Sequence, residues 1–416
     1  MRTVGIPTDR IARGDTMTAP TVGPIQVSEN GRYFVDQNGA PFFWLGDTHW
    51  ELFRRFTLEE AEMILEDRAE KGFNIIQIMI TGVGDGTKPD LSGQKPWLND
   101  DPATPNEAYF RNVDEVLKLG KDQVFVLGVF HQLQVSHITP ANARTYARWI
   151  SERYRDVPNI IWTTYPRAEQ EYVPVLRELA AGLQEGDEGK HIITVHPDPS
   201  PASSSFIHSE SWMACNMIQT WAYYDRICEM VTTDYNLTPT KPALMVEGAY
   251  EAGTEYGFPV TPLMVRRQAY WSYLAGGHHS YGHNDIWRVL PTWKSALDAP
   301  GASQMGVLRK VFTGLQWWKL VPDQSILADQ SSEELGTAAR SDCGDWVMVY
   351  LSEIAAVSID MSKITTSSEV AASWVDPVTG TQTGIGIFPN TGIRSFSPPA
   401  GWEDAVLLLS SGANNA

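Results

Sequence analysis

The feature that most constrains the fold is a regular alternation of short apolar runs with amphipathic helical stretches between residues 42 and 287. Such an alternation is typical of repeated βα units around a parallel sheet. We predict eight strands, at 42–46, 74–80, 124–130, 159–163, 191–195, 217–220, 243–246 and 279–281. Eight such units in roughly 250 residues are the size of a (β/α)8 TIM barrel.

Local signals mark the starts of three helices in this region. Thr57 with Glu60 three residues later forms a capping box, and Thr139-Pro140 and Thr261-Pro262 each place proline after a capping hydroxyl. After about residue 317 the helical periodicity stops, and strand-like runs follow at 346–351, 355–359, 370–375 and 405–409. We therefore predict a disordered tail over 1–24, a catalytic barrel over 25–318 and an all-β sandwich domain over 319–416.

Composition excludes several classes of protein. The chain has 416 residues with 43% hydrophobic and 20% charged residues, as in an ordinary globular protein, and its net charge of -18 would repel nucleic acid. No stretch is apolar enough to span a bilayer, and the polar segment 1–20 lacks the apolar run of a signal peptide. We expect a cytoplasmic protein, unless an export signal precedes the sequence, without nucleic-acid or membrane partners; its oligomeric state stays open.

The candidate site residues come directly after the apolar runs, because active sites of such barrels form at the carboxyl ends of the strands. The polar and aromatic side chains in these positions are Asp47, His49, Trp50, His131, Gln132, Arg167, Glu169, His196, Asp198, Gln219, Trp221, Glu247, Tyr250, Glu251, His278, His279, Tyr281, His283, Asn284 and Trp287.

Glu247 is the strongest candidate, since ALMVEG places a carboxylate at the end of an apolar strand. Burying a charge there costs free energy unless the group has a partner or a function. Glycoside hydrolysis commonly needs two carboxylates that flank one bond. Glu169 would face Glu247 if its loop turns inward, although an acid at a helix start is often only a solvated first-turn residue. Asp47 is the fallback, and an Asp at that position more often orients a sugar hydroxyl or a neighbouring His.

Histidines and aromatic residues in these positions have competing explanations. The nine histidines suggest a metal site, but no HExxH motif or comparable cluster is present, and binding of sugar hydroxyls explains the same residues without an ion. We therefore expect no metal and no cofactor. Trp50, Trp221, Tyr281 and Trp287 suit stacking on sugar rings, whereas Trp44 and Trp162 suit the barrel core. Cys215, Cys228 and Cys343 lack metal-binding spacing and are expected to be buried free thiols.

Five long segments occur in order: PFFWLGDTHWELFRRFTLEEAEMILEDRAEKGFNIIQ, DDPATPNEAYFRNVDEV, HPDPSPASSSFIHSESW, KPALMVEGAYE and RRQAYWSYLAGGHHSYGHNDIW. Together they resemble the apiosidase-like glycoside hydrolases, and the segments SWVDPVTGTQT and FSPPAGWEDAVLLL resemble the β-sandwich that follows the barrel in that family. The resemblance implies a two-carboxylate exo-glycosidase that releases a terminal sugar, for example a furanose such as apiose. Glu247 matches the family's catalytic Glu, and Gly46-Asp47-Thr48 and Tyr281-Gly282 also match.

Two segments depart from the family pattern. After NIIW the family usually continues to Gly-Gly-Asp, whose Asp is the expected general acid, whereas this chain reads TTYPRAE and places Arg167 there. His131-Gln132 likewise stands where the family usually has Trp-Gly. Glu169 or another acid then replaces the missing one, or the substrate differs, since Arg167 suits an acidic sugar.

The leading hypothesis is a glycosidase that binds a carbohydrate or glycoside, with Glu247 as nucleophile or base and Glu169 as acid. A carbohydrate-binding or degenerate barrel without turnover is the first alternative. A metal-dependent lyase or isomerase that uses the histidines is the second. The sequence does not fix the sugar, the linkage or the stereochemical outcome.

Overall fold

The computed structural model describes residues 22–411, so the predicted tail over 1–24 lies, up to residue 21, outside the described residues. The chain then forms a small antiparallel sheet, a closed barrel and an antiparallel C-terminal domain. The strands are β1 Gln26–Val27, β2 Phe34–Val35, β3 Pro41–Phe42, β4 Leu45–Thr48, β5 Ile75–Met79, β6 Val124–His131, β7 Ile160–Tyr165, β8 Ile193–Val195, β9 Met213–Gln219, β10 Ala243–Glu247, β11 His278–Tyr281, β12 Leu320–Pro322, β13 Gly336–Ser341, β14 Trp346–Leu351, β15 Val357–Asp360, β16 Glu369–Val375, β17 Gln382–Pro389, β18 Ile393–Phe396 and β19 Ala405–Ser410.

The described helices surround the barrel, except for the last one, which lies in the C-terminal domain against β13 and β15. They are α1 Leu52–Arg55, α2 Leu58–Glu70, α3 Glu107–Leu119, α4 Ala143–Tyr154, α5 Val173–Asp187, α6 Ser204–Ile207, α7 Ile227–Tyr235, α8 Pro262–Leu274, α9 Asn284–Trp287, α10 Trp293–Ala296, α11 Pro300–Thr313 and α12 Gln330–Leu335. The predicted capping box of Thr57 and Glu60 is present at α2, and Thr261 caps α8 with Pro262 in its first turn. The prediction for Thr139-Pro140 is wrong, because α4 begins later, after Asn142.

The eight strands from β4 to β11 close into a parallel barrel in chain order, with β11 paired to β4. The predicted TIM barrel is therefore confirmed. Its interior is filled by side chains of alternate strand positions, among them Ile75, Val126, Met217 and Val246. The small sheet β1–β3 adds Phe34 to this cluster and closes the barrel at the amino ends of the strands.

The C-terminal domain contains a six-stranded sheet, in the order β12-β13-β14-β19-β16-β17, and a two-stranded sheet of β15 and β18. Apolar side chains of both sheets share one core, which confirms the predicted all-β domain. The sequence patterns did not predict β12, β13, β17 or β18; β17, for example, is almost entirely exposed and contains Gly384 and Gly386. Cys343 is also not buried as predicted: it lies exposed in the turn between β13 and β14, whereas Cys215 is buried and Cys228 half-buried.

The two domains are packed together through helix α8. Tyr270 of α8 stacks on Tyr350 of β14, with ring centres 4.5 Å apart and planes 5° from parallel. Beside them Arg266 donates two hydrogen bonds, of 2.9 and 2.8 Å, to the carboxylate of Asp404, and both side chains are buried. The C-terminal sheet is therefore packed against a helix on the outside of the barrel.

Among the described residues, no helix is both long and apolar enough to cross a membrane.

Candidate active site

Glu247 stands at the carboxyl end of β10 and is 6% exposed. In β10 the side chains of Leu244 and Val246 fill the barrel, so strict alternation would turn the side chain of residue 247 outward. The pairing of β10 with β9 shifts register between Met245 and Glu247. This irregularity brings the carboxylate of Glu247 beside Gln219 of β9, at the mouth of the barrel.

One oxygen of Glu247 is held by the protein. Gln219 Nε2 donates a hydrogen bond of 2.8 Å to Glu247 Oε1, and Gln219 Oε1 accepts one of 2.8 Å from the hydroxyl of Tyr165. Because the tyrosine hydroxyl donates to the amide oxygen, the amide nitrogen is left to face the carboxylate. This chain of bonds orients Glu247 relative to the end of β7.

The other oxygen of Glu247 is free of hydrogen bonds within the described structure. His196 Nε2 lies 3.4 Å from Glu247 Oε2, but the pair does not meet hydrogen-bond geometry and both buried atoms lack a partner. A buried acceptor and ring nitrogen without partners are costly. A hydroxyl group of a bound molecule placed beside them would satisfy both.

Aromatic rings surround this pair. The ring of Tyr165 lies 4.4 Å from His196 and 5.2 Å from His131, and Trp50 lies 5.2 Å from His196. Trp50 Nε1 donates to the hydroxyl of Tyr250 at 3.1 Å. Trp287 extends the group outward, with its ring centre 6.4 Å from that of Tyr250. At the mouth of the barrel, the carboxylate of Glu247 is therefore surrounded by aromatic side chains, which we call the aromatic wall. This arrangement suits a sugar, whose ring faces are apolar and whose edges carry hydroxyl groups.

Burial sets the protonation of these side chains. Burial, with Glu247 as the next contribution, raises the pKa of Tyr165 and of Tyr250 well above the ordinary tyrosine value. Burial, with a smaller contribution from His196, lowers the pKa of His131 to about 4. At neutral pH both tyrosines are therefore hydroxyl donors or acceptors, and His131 is an uncharged imidazole.

Four of the predicted substrate-binding residues lie away from this group: Asp47, His49, His279 and Tyr281. Asp47 is buried and accepts hydrogen bonds from Arg68 Nε of α2 at 2.5 Å and from His49 Nε2 at 2.9 Å. Tyr281 donates to Glu251 at 2.6 Å, and the ring of His279 is buried. Residues 47 and 281 alternate with the inward-facing Gly46 and Ser280, so their side chains point toward the helices rather than into the mouth.

The loop after β7 carries the residues at the family's usual acid position. Arg167 is exposed, and its Nε donates to Gln132 Oε1 at 2.9 Å, which ties this loop to the one after β6. Glu169 is exposed, and its carboxylate accepts no hydrogen bond from any described residue.

Trp221, after β9, is half-buried at a left-handed φ of 50° and packs on Tyr256, with ring centres 5.4 Å apart. Such strained backbone in non-glycine residues clusters at functional sites.

Sequence reasoning missed Tyr165, although a signal for it exists. In IIWTTY, Ile161 fills the barrel, so Thr163 and Tyr165 follow it at every second position on the inward face.

Among the described residues, no group of three or more His, Cys, Asp or Glu side chains is arranged to hold a metal ion.

Comparisons with known proteins agree with this architecture. Residues 28–319 match the model of the apiosidase-like catalytic domain, and residues 321–410 match that of a putative collagen-binding domain of a collagenase. A solved structure described as a glycoside hydrolase is 28% identical, with a TM-score of 0.86 over 94% of this chain and 97% of that one. A glycoside hydrolase family 5 structure from Bacteroides vulgatus is 27% identical, with a TM-score of 0.86 over 94% of each chain. The search of curated protein sequences returned no significant match.

The apiosidase-like model covers well over half of the chain, including every strand of the barrel and the carboxylate at its mouth. The two solved glycoside hydrolases extend the likeness through the C-terminal domain. The chain therefore belongs to the apiosidase-like family and is a glycosidase.

Proposed function

We propose that this glycosidase is exo-acting and removes a terminal sugar of furanose type by a two-carboxylate mechanism, with Glu247 as nucleophile or base. The observation that carries the proposal is the state of Glu247. One oxygen is fixed by Gln219, and the other, Oε2, is buried in an aromatic mouth without a partner among the described residues. A carboxylate held in this way is oriented for one reacting atom and pays little to reorganise.

The aromatic wall supports a sugar as the ligand. Trp50, Tyr165 and Trp287 offer ring faces or edges, and His131 and His196 offer ring nitrogens for hydroxyl groups. The furanose part of the proposal rests on the family, whose model describes an apiosidase-like domain. Glu169 and Asp198, on the loops after β7 and β8, are the candidates for the second carboxylate.

The test is a screen of the purified protein against 4-nitrophenyl furanosides, pyranosides and uronides, read as released nitrophenolate. We expect one furanoside to be cleaved fastest, and Glu247→Gln to lower kcat by about 10³-fold or more while the thermal midpoint is kept. Glu115→Gln, at an exposed carboxylate of α3, is the matched control and keeps full activity. A silent wild-type protein, or a folded Glu247→Gln variant with substantial activity, would contradict the proposal.

Exo action is tested with a reduced oligosaccharide that carries the preferred sugar at its end. The monosaccharide is the expected first product on chromatography. Release of a disaccharide or a larger fragment in place of the monosaccharide would show internal cleavage and overturn this part of the proposal.

A further inference from the structure

The segment 196–200 follows β8 and lies at the rim of the barrel, between the ends of the neighbouring strands β7 and β9. His196 N donates to Thr164 O and Asp198 N to Pro166 O, each at 2.8 Å, and Ser200 N donates to Gln219 O at 3.3 Å. Ser200 holds a left-handed φ of 34°. The segment is thus fixed at both ends to the strands that carry Tyr165 and Gln219, the two residues that orient Glu247.

Asp198 lies in the middle of this segment. Its backbone is bonded, but its half-buried carboxylate accepts no hydrogen bond and forms no ion pair with any described residue. Elsewhere in the chain, carboxylates at similar depth are bonded: Glu210 pairs with Arg177, and Glu255 with Arg288. A fixed backbone with an unbonded carboxylate leaves the side chain available to a bound molecule.

Asp198 and Glu247 both contribute to the electrostatic environment of the Tyr165 hydroxyl. Burial is the main cause of the raised pKa of Tyr165, and the next contributions come from Glu247 and then Asp198. Both carboxylates therefore act on one phenol at the mouth. Glu169 is not among the main contributions at Tyr165; together with Asp198 it contributes to the raised pKa of Tyr172, on the loop after β7, where burial is the main cause.

We propose that Asp198 is the general acid of the hydrolysis and takes the place of the Asp that the loop after β7 lacks. This inference rests on the proposed function of Glu247. It assigns the acid to the loop after β8, two strands from Glu247 in the barrel order β8-β9-β10. The exposed Glu169 then has no role in bond cleavage.

The chemical step balances with these two groups and one water molecule. The carboxyl group of Asp198 gives its proton to the glycosidic oxygen, which takes the electron pair of the breaking bond to the anomeric carbon. Water supplies the oxygen that joins this carbon. Its proton goes to Glu247 if water attacks directly, or to the Asp198 carboxylate if Glu247 has first formed an ester with the sugar.

The test compares leaving groups that need protonation with one that does not. Asp198→Asn, Asp198→Ser, the competing candidate Glu169→Gln and the matched control Glu115→Gln are assayed on methyl and 2,4-dinitrophenyl glycosides of the sugar preferred in the screen. We expect both Asp198 variants to lose about 10²- to 10⁴-fold in kcat/KM on the methyl glycoside and far less on the dinitrophenyl glycoside. Glu115→Gln should match wild type on both substrates.

Other outcomes separate this inference from the proposed function. Full activity of either Asp198 variant on the methyl glycoside, or its loss in Glu169→Gln instead, would overturn the role of Asp198 while Glu247 keeps its own. An equal loss on both substrates would show that Asp198 positions the segment and is not the acid. Activity retained by Glu247→Gln on both substrates would instead refute the proposed function.

Discussion

Gln219 joins Glu247 to Tyr165 by two hydrogen bonds of 2.8 Å, one through each end of its amide. The amide presents a donor to a carboxylate, which an isosteric carboxylate at position 219 cannot do. The charge and direction of Glu247 therefore depend on a neutral side chain at this position.

The first prediction follows from that dependence. Gln219→Glu places two carboxylates in contact, so one of them must hold a proton to higher pH. We expect the acidic limb of the kcat/KM profile to move to higher pH in this variant. Gln219→Met, which adds no charge, should lower kcat about 10-fold or more without moving the limb. Gln184→Glu, at an exposed position of α5, is the control for added charge. An unshifted limb in Gln219→Glu would contradict the prediction.

Arg167 yields a prediction about substrate charge. Among the described residues, the side chain of Arg167 is hydrogen-bonded only through Nε, to Gln132. The rest of the guanidinium is therefore open to the carboxylate of a bound substrate. We expect Arg167→Gln to raise KM for 4-nitrophenyl uronides by about tenfold or more, since a charged hydrogen bond is lost, and to leave KM for neutral glycosides unchanged. Equal changes for both substrate classes would exclude an anion-binding role.

The buried pair of Arg266 and Asp404 predicts a large loss of stability. Arg266→Met leaves the carboxylate of Asp404 buried with only the hydroxyl of Tyr350 as a strong donor. The expected cost is about 3–5 kcal/mol in the free energy of unfolding. Arg177→Met, which breaks the exposed pair with Glu210, should cost only about 0–1 kcal/mol. Urea denaturation measures both, and similar losses would contradict the prediction.

His279 predicts sensitivity to acid. Burial lowers its pKa to about 3 in the folded chain, whereas an unfolded histidine titrates near 6.5. The unfolded state therefore binds the proton first, and stability falls as the pH drops below 6.5. Between pH 7 and pH 5 the expected loss from this residue alone is about 2 kcal/mol. His279→Gln should show a flatter dependence of the unfolding free energy on pH; an unchanged slope would refute this.

The positions of the strands were predictable, because each barrel strand is a compact apolar run bounded by polar residues. The direction of each side chain was predictable only where alternation is unbroken, as for Gln219. Register shifts in β6, between Gly128 and His131, and in β10, between Met245 and Glu247, turn residues inward against simple alternation. Such shifts arise from pairing with neighbouring strands, which sequence spacing does not contain.

Asp47 and His49 illustrate the opposite case. Both follow the first strand, and both resembled site residues by position alone. Their side chains bond instead to one another and to Arg68, 21 residues later than Asp47 in the chain. A buried arginine on α2 needs such a partner, and no local pattern around residue 47 announces it.

Helix α8 of the barrel contacts both the C-terminal domain and the loop after Glu247. Arg266 on it contacts Asp404 of the C-terminal domain, and Gln268 accepts a hydrogen bond of 2.8 Å from Ala249 N, two residues beyond Glu247. Removing the C-terminal domain would leave Arg266 without its buried carboxylate partner, on the same helix that holds the loop after Glu247. The order of that loop is therefore linked to the C-terminal domain, and a shortened enzyme needs a redesigned face of α8.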